Sequence, residues 1–217
     1  MDFIVQLKTF SVMPKTQEIL ASLQSLANDY SIVAIVWHIL FYILLAFLIA
    51  KWNPSNRLLG VLICLPLLSV AVFAWIAGNP FNGTLFSMLA ILIFIFSLRA
   101  SSESVTVSTF PYYLTGILMI AFGLIYPHFL NTDSLFKYFY ASPLGLVPCP
   151  TLSLLIGFVL LYNGFGSNSI SIAFIVFGLF YGIFGVFKLG VTLDLGLLFG
   201  TITLLIKYLV MLKNPIT

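Results

Sequence analysis

Apolar residues run along this chain in seven long blocks separated by short polar or turn-forming stretches. The blocks cover residues 32–50, 58–77, 84–98, 112–129, 149–162, 170–187 and 192–212. Within each block the apolar residues are continuous. Barrel strands would instead alternate between lipid-facing and lumen-facing side chains. About 20 apolar residues cross a bilayer as a helix, and a helix pairs its own backbone groups where no water is present. The third and fifth blocks are short and would have to borrow flanking residues or thin the bilayer locally. The pattern predicts an all-α fold, a polytopic transmembrane helix bundle of about seven spans.

The breaks between blocks carry turn chemistry. Residues 51–57 hold Lys51, Arg57 and an Asn-Pro pair, and residues 78–83 hold a second Asn-Pro. Residues 99–111 are rich in Ser and Thr, and residues 163–168 form an uncharged Gly-containing turn. Ahead of the first block, residues 14–28 place Ile19, Leu20, Leu23, Leu26 and Ala27 on one helical face, with Lys15, Gln17, Glu18, Gln24 and Ser25 elsewhere. That is the signature of an amphipathic helix lying in the membrane surface; the alternative is a soluble extension of the first span. The chain therefore divides into an N-terminal segment, 1–30, and a single transmembrane domain, 31–217. Residues 1–8 lack a basic region and a cleavage site, so no cleaved leader is expected there. No internal repeat of the kind found in many transporters is evident.

Composition sharpens this picture. Of 217 residues, 61% are apolar and 7% charged, against about a quarter charged in soluble domains. The partner that such a surface requires is the lipid bilayer. The net charge of +3 is dispersed without a basic run, which excludes a nucleic-acid role. Lys51, Arg57, Arg99, Lys207 and Lys213 fall on the C-terminal side of a seven-span topology and Lys8, Lys15, Lys137 and Lys188 on the other. This bias favours the N-terminus outside and the C-terminus cytoplasmic.

Ionisable residues within apolar sequence are costly, so they are the first functional candidates. Asp194 stands near the start of the last block, six residues after Lys188. It reads either as an inward-facing carboxylate for a cation or proton, or as an interfacial residue paired with Lys188. Lys207 is expected to snorkel to the interface. His38 is a candidate metal ligand or proton carrier, with a hydrogen-bonded packing role as its alternative; His128 reads as interfacial. Cys149 is flanked by Pro148 and Pro150. Pro150 suits a first helical turn, which places Cys149 at the cap, where free N–H groups and the helix dipole favour a thiolate. The alternative is a structural Pro-Cys-Pro hinge. Gly178 and Gly182, with Gly196 and Gly200, form two GxxxG patterns suited to close helix packing, either between the last two spans or in a homo-oligomer. Cys64 and Cys149 lie too far apart in sequence to suggest a disulfide framework or a zinc site, and no further metal ligands occur at a telling spacing. No Walker loop, HExxH, GxSxG or CxxC is present. No cofactor is indicated, and the reading is non-enzymatic.

Residues 145–151, Gly-Leu-Val-Pro-Cys-Pro-Thr, resemble the start of a span in DUF6064, a mostly bacterial family of small multi-pass membrane proteins. Residues 30–37, 78–80 and 194–198 resemble the family more weakly, and His38 stands where the family pattern has proline. The resemblance implies a multi-pass helical fold in a bacterial inner (plasma) membrane and transfers no activity. Three functional classes follow from the residues. Transport of a small solute or ion requires Asp194, Cys149 and His38 to converge on a watery cavity. A membrane partner or assembly factor requires a glycine-lined contact face. A thiol- or metal-dependent protein requires a second ligand or base beside Cys149.

Overall fold

The computed structural model describes residues 15–213, which fold as helices joined by turns with no strand among the described residues. In chain order they are α1 (Thr16–Asp29), α2 (Ser31–Ile49), α3 (Asn56–Leu62), α4 (Cys64–Ile76), α5 (Pro80–Arg99), α6 (Tyr112–Ile125), α7 (Tyr138–Ala141), α8 (Pro148–Leu161), α9 (Asn168–Ile183) and α10 (Asp194–Lys213). A π-helical turn, Phe184–Lys188, continues α9. Five stretches are long and apolar enough to cross a membrane: Ser31–Ile49, Asn56–Ile76, Pro80–Arg99, Asn168–Lys188 and Asp194–Lys213. Twenty residues at 1.5 Å each measure about 30 Å, the thickness of the hydrocarbon layer. Helices α6 and α8 have 14 residues each, about 21 Å. The expectation of no cleaved leader lies outside the described residues.

Several boundaries depart from the sequence pattern, among them a break at Ile63 that divides the second block into α3 and α4, and three have a clear local reason. Helix α5 begins at Pro80, earlier than the apolar block. The Asn79 side chain accepts from the Asn82 N–H at 3.0 Å, and Pro80 fills a first-turn position whose missing N–H costs nothing. Helix α6 stops at Ile125, well short of residue 129. Pro127 disfavours helical backbone at Tyr126, which adopts φ −22° and ψ 96°. At α8, Val147 is the cap, so Pro148 opens the helix and Cys149 lies inside the first turn.

Helix α8 forms the centre of the bundle, with thirteen of its residues buried. Helix α6 lies antiparallel against it at backbone distance: a Cβ on Gly157 would fall 2.7 Å from the Ile120 nitrogen and 2.8 Å from the Gly116 oxygen. Gly123 is pressed in the same way against Pro150 and Leu154. Helix α10 runs parallel to α8, touching it at Asp194–Cys149 near one end and Lys207–Leu160 near the other. Helix α9 packs antiparallel on α10, Gly178 against Thr201 and Gly182 against Leu198. Gly196 and Gly200 face Phe122 and Met119 of α6 instead, so all four glycines are covered within one chain. Helix α8 is thus enclosed by other helices along its length.

Helix α2 shows the opposite environment. Ala34, His38 and Phe41 are buried on one face, while Ile32, Val36, Ile39, Ile43 and Phe47 are exposed. Apolar exposure on this scale suits lipid contact. Helix α1 buries only Leu23, Leu26 and Ala27. Its polar side chains reach the rest of the molecule at a few points: Thr16 Oγ1 donates to Lys188 O (3.2 Å), Gln24 Nε2 to Asn131 Oδ1 (2.5 Å) and Asn28 Nδ2 to Phe129 O (2.9 Å).

Candidate functional site

Asp194 is the first residue of α10, and its N–H donates to Val191 O at 3.0 Å. Its carboxylate lies inside the bundle, 1% exposed. Tyr126 Oη donates to Oδ1 at 2.7 Å, and Cys149 Sγ donates to Oδ2 at 3.2 Å. Tyr126 comes from the turn after α6 and Cys149 from the first turn of α8, so three elements meet at one carboxylate. A fourth closes over it: Gly185, in the π-helical turn, lies so near Asp194 Oδ2 that any Cβ there would overlap it.

This geometry corrects two expectations. Asp194 is not an interfacial residue paired with Lys188. Lys188 is exposed and contributes its main-chain oxygen to Thr16, while both carboxylate oxygens are held by neutral donors. Nor does Cys149 sit at the cap as a thiolate. It lies in the first turn and supplies the proton of the S–H···O bond. The α8 dipole still matters, because its positive end points to the carboxylate. An isolated carboxylate in an apolar interior is costly, and here two donors and a helix N-terminus offset that cost.

The Pro-Cys-Pro segment holds the thiol in place. Pro148 and Pro150 occupy first-turn positions with no intrahelical N–H bond to lose. Thr151 Oγ1 accepts from Gly145 N at 2.9 Å and donates to Val147 O at 2.8 Å, tying the preceding turn to the helix. Gly145 has φ +73°, and the Trp37 indole packs directly on its Cα, so a side chain is excluded by conformation and by space. Near the cluster, Tyr181 Oη donates to Asn82 Oδ1 at 2.9 Å. Ser153, one turn along α8 from Cys149, is fully buried, and its hydroxyl has no partner among the described residues.

His38 lies outside this cluster, so the expected convergence of Asp194, Cys149 and His38 on a watery cavity is met only by the contact of the first two, with neither of them lining a cavity among the described residues. The His38 ring nitrogens face Ala34 O at 2.7 Å and Leu124 O at 2.9 Å, which leaves neither free for a metal or for Asp194. Lys207 does not snorkel. It is 5% exposed, with Nζ bonded to Ser108 Oγ and to Leu160 O (3.1 Å), and it lies 5.6 Å from the Tyr112 ring centre. It thus places a cation at the C-terminal end of α8, where the dipole is negative. His128 is half-buried near Phe129 outside the spans, and desolvation lowers its pKa below the ordinary histidine value. Among the described residues no group of three His, Cys, Asp or Glu side chains could hold a metal.

Sequence reasoning missed Tyr126, Gly185 and Ser108. Tyr126 precedes a proline at the end of an apolar block with nothing local to mark it, and only the turn after α6 directs its hydroxyl to Asp194. Gly185 follows Gly182 by three residues, but its contact with a carboxylate depends on how α9 and α10 pack. No protein-family model, curated protein or solved structure matches this chain.

Proposed function

We propose that this is an integral membrane protein of seven spans, with α1 lying in the membrane surface, that moves a small solute or ion and uses Asp194 as its cation- or proton-binding carboxylate. The observation that carries the reading is a carboxylate buried among apolar helices and held by a phenol and a thiol alone. Intramembrane ionisable residues are retained at a cost and mark ion or proton pathways. A carboxylate paired with lysine would already be neutralised, whereas this one keeps the capacity to take up a proton or a small cation. Ser153 supports the same reading, because it extends the polar file one turn further along α8.

The span count draws support from alternation. Helices α6 and α8 are antiparallel, as are α9 and α10, and α8 and α10 are parallel. Lys51, Arg57, Arg99 and Lys213 belong to the Lys207 end, and Lys15, Lys137 and Lys188 to the Asp194 end; this bias favours the Lys207 end as cytoplasmic. Placement in a bacterial inner membrane and kinship with DUF6064 rest on residues 145–151.

The test is flux in liposomes holding the purified protein and a pH-sensitive dye, challenged with a proton gradient and with monovalent cations in turn. Wild-type protein should dissipate the gradient, and Asp194→Asn should reduce the rate to that of protein-free liposomes. Equal rates for variant and wild type would remove Asp194 from the mechanism, and no wild-type flux would remove transport. A second reading is a non-catalytic membrane partner or assembly factor, which would use the exposed apolar faces of the helices because the glycines are covered within the chain. It predicts silent liposomes and a protein that co-purifies stoichiometrically from native membranes.

A further inference from the structure

We infer that α1 is a hinged cover over the Asp194 end of the bundle, and that lifting it opens a water path to Cys149 and Asp194. The inference deepens the transport reading by supplying the gate of the same site. Two cavities lie against α1. One, of about 10 Å³, lies beneath Ser22, Leu23 and Leu26 and is floored by Asn79, Asn82 and Pro148. That is room for about one water. The other is a groove of about 290 Å³ under the opposite edge of α1, between Leu20 and Gln24 on one side and His128, Phe129, Leu130 and Tyr138 on the other.

The floor of the small cavity leads to the cluster. Pro148 is the residue before Cys149, and Asn82 holds the Tyr181 hydroxyl. Raising α1 would join the small cavity to the groove and so to water. The attachments of α1 are suited to release: three buried residues, and side-chain hydrogen bonds that are exposed or only partly buried. Gates are drawn from such low-stability elements. The pivot is Tyr30, which separates α1 from α2 with φ −112° and ψ 26° and whose ring stays packed on Phe73 at 4.9 Å. One end of α1 is thereby anchored, while among the described residues the other is tied only by the exposed Thr16–Lys188 hydrogen bond.

The test reads thiol access and requires no flux. The full chain in lipid nanodiscs is treated with N-ethylmaleimide, and alkylation of Cys149 and of Cys64 is followed by peptide mass spectrometry. Cys64 is buried within the bundle, 3% exposed, and serves as the internal control. Gln24→Ala with Asn28→Ala removes the tie to residues 129–131. It should raise the Cys149 rate about ten-fold and leave Cys64 unchanged, with the milder Gln24→Ala alone in between. An unchanged Cys149 rate, or an equal rise at Cys64 that signals general loosening, would overturn the cover. Gating without any liposome flux would leave the cover standing and remove transport; flux that depends on Asp194 without gating would do the reverse.

Discussion

The two hydrogen bonds on Asp194 are unequal. A phenol is a strong donor and a thiol a weak one, so Tyr126 contributes more than Cys149 to keeping the carboxylate inside the bundle. Removing the phenol leaves one oxygen of a buried carboxylate without a donor, which costs about 1–3 kcal/mol. Tyr126→Phe is therefore expected to lower the unfolding midpoint in detergent substantially, and Cys149→Ala to lower it less. In an Asp194→Ala background, which leaves the phenol no acceptor there, the Tyr126→Phe penalty should shrink by at least about 0.5 kcal/mol, the signature of coupled neighbours. Additive penalties would show that the hydroxyl does not stabilise the fold through the Asp194 side chain. Cys149 was prominent in the sequence because two prolines frame it. Tyr126 was not, because what makes it important is an angle set by Pro127.

Helix α8 is the element on which the others are arranged, and its ends explain how a short helix stays inside an apolar bundle. One neighbour, α10, places a carboxylate at its N-terminus and an ammonium at its C-terminus, each opposite in sign to the dipole it meets; such pairings stabilise by up to about 2 kcal/mol when partly buried. The flank toward α6 is held by main-chain contact. Gly157→Ala would drive its Cβ into the Ile120 nitrogen and the Gly116 oxygen, backbone atoms with nowhere to move. The same change at Gly182 meets mainly the end of the Leu198 side chain, which has other rotamers. Gly157→Ala is expected to cost about 1–3 kcal/mol and Gly182→Ala distinctly less, read as the difference in thermal midpoint in detergent. The reverse order would mean that the α9–α10 contact is the tighter one. The GxxxG patterns of α9 and α10 were legible in the sequence. Gly116, Gly123 and Gly157, which make the closest approach, follow no such pattern across their two helices.

At the scale of the whole molecule, the proposed seven-span architecture depends on α6 and α8, each about 21 Å long. Single cysteines replacing Ser102, Asp133 and Ser169, all exposed, test both helices together in a Cys64→Ala/Cys149→Ala background. An impermeant thiol reagent applied to sealed vesicles of known orientation should label positions 102 and 169 from one side and position 133 from the other. If all three label from the same side, α6 and α8 dip into the membrane and return, and five spans remain. The charge distribution predicts that the face bearing positions 102 and 169 is cytoplasmic.

The sequence by itself determined the helical character and the apolar surface: five of the stretches it marks are long and apolar enough to cross a membrane. Continuous apolar blocks with few charges read as helices, and Asn-Pro and Gly-rich breaks mark where they end. It also marked Asp194 and Cys149, because an ionisable group in apolar sequence and a thiol between prolines stand out locally. Only the tertiary structure decided which polar groups meet: Tyr126 and Cys149 on Asp194, Ser108 on Lys207, and His38 on two carbonyls away from both. Helices that are apolar on every side carry no facial code. Their neighbours are chosen by the close approach of small residues and by the satisfaction of a few buried polar atoms, both of which depend on residues far apart in the chain.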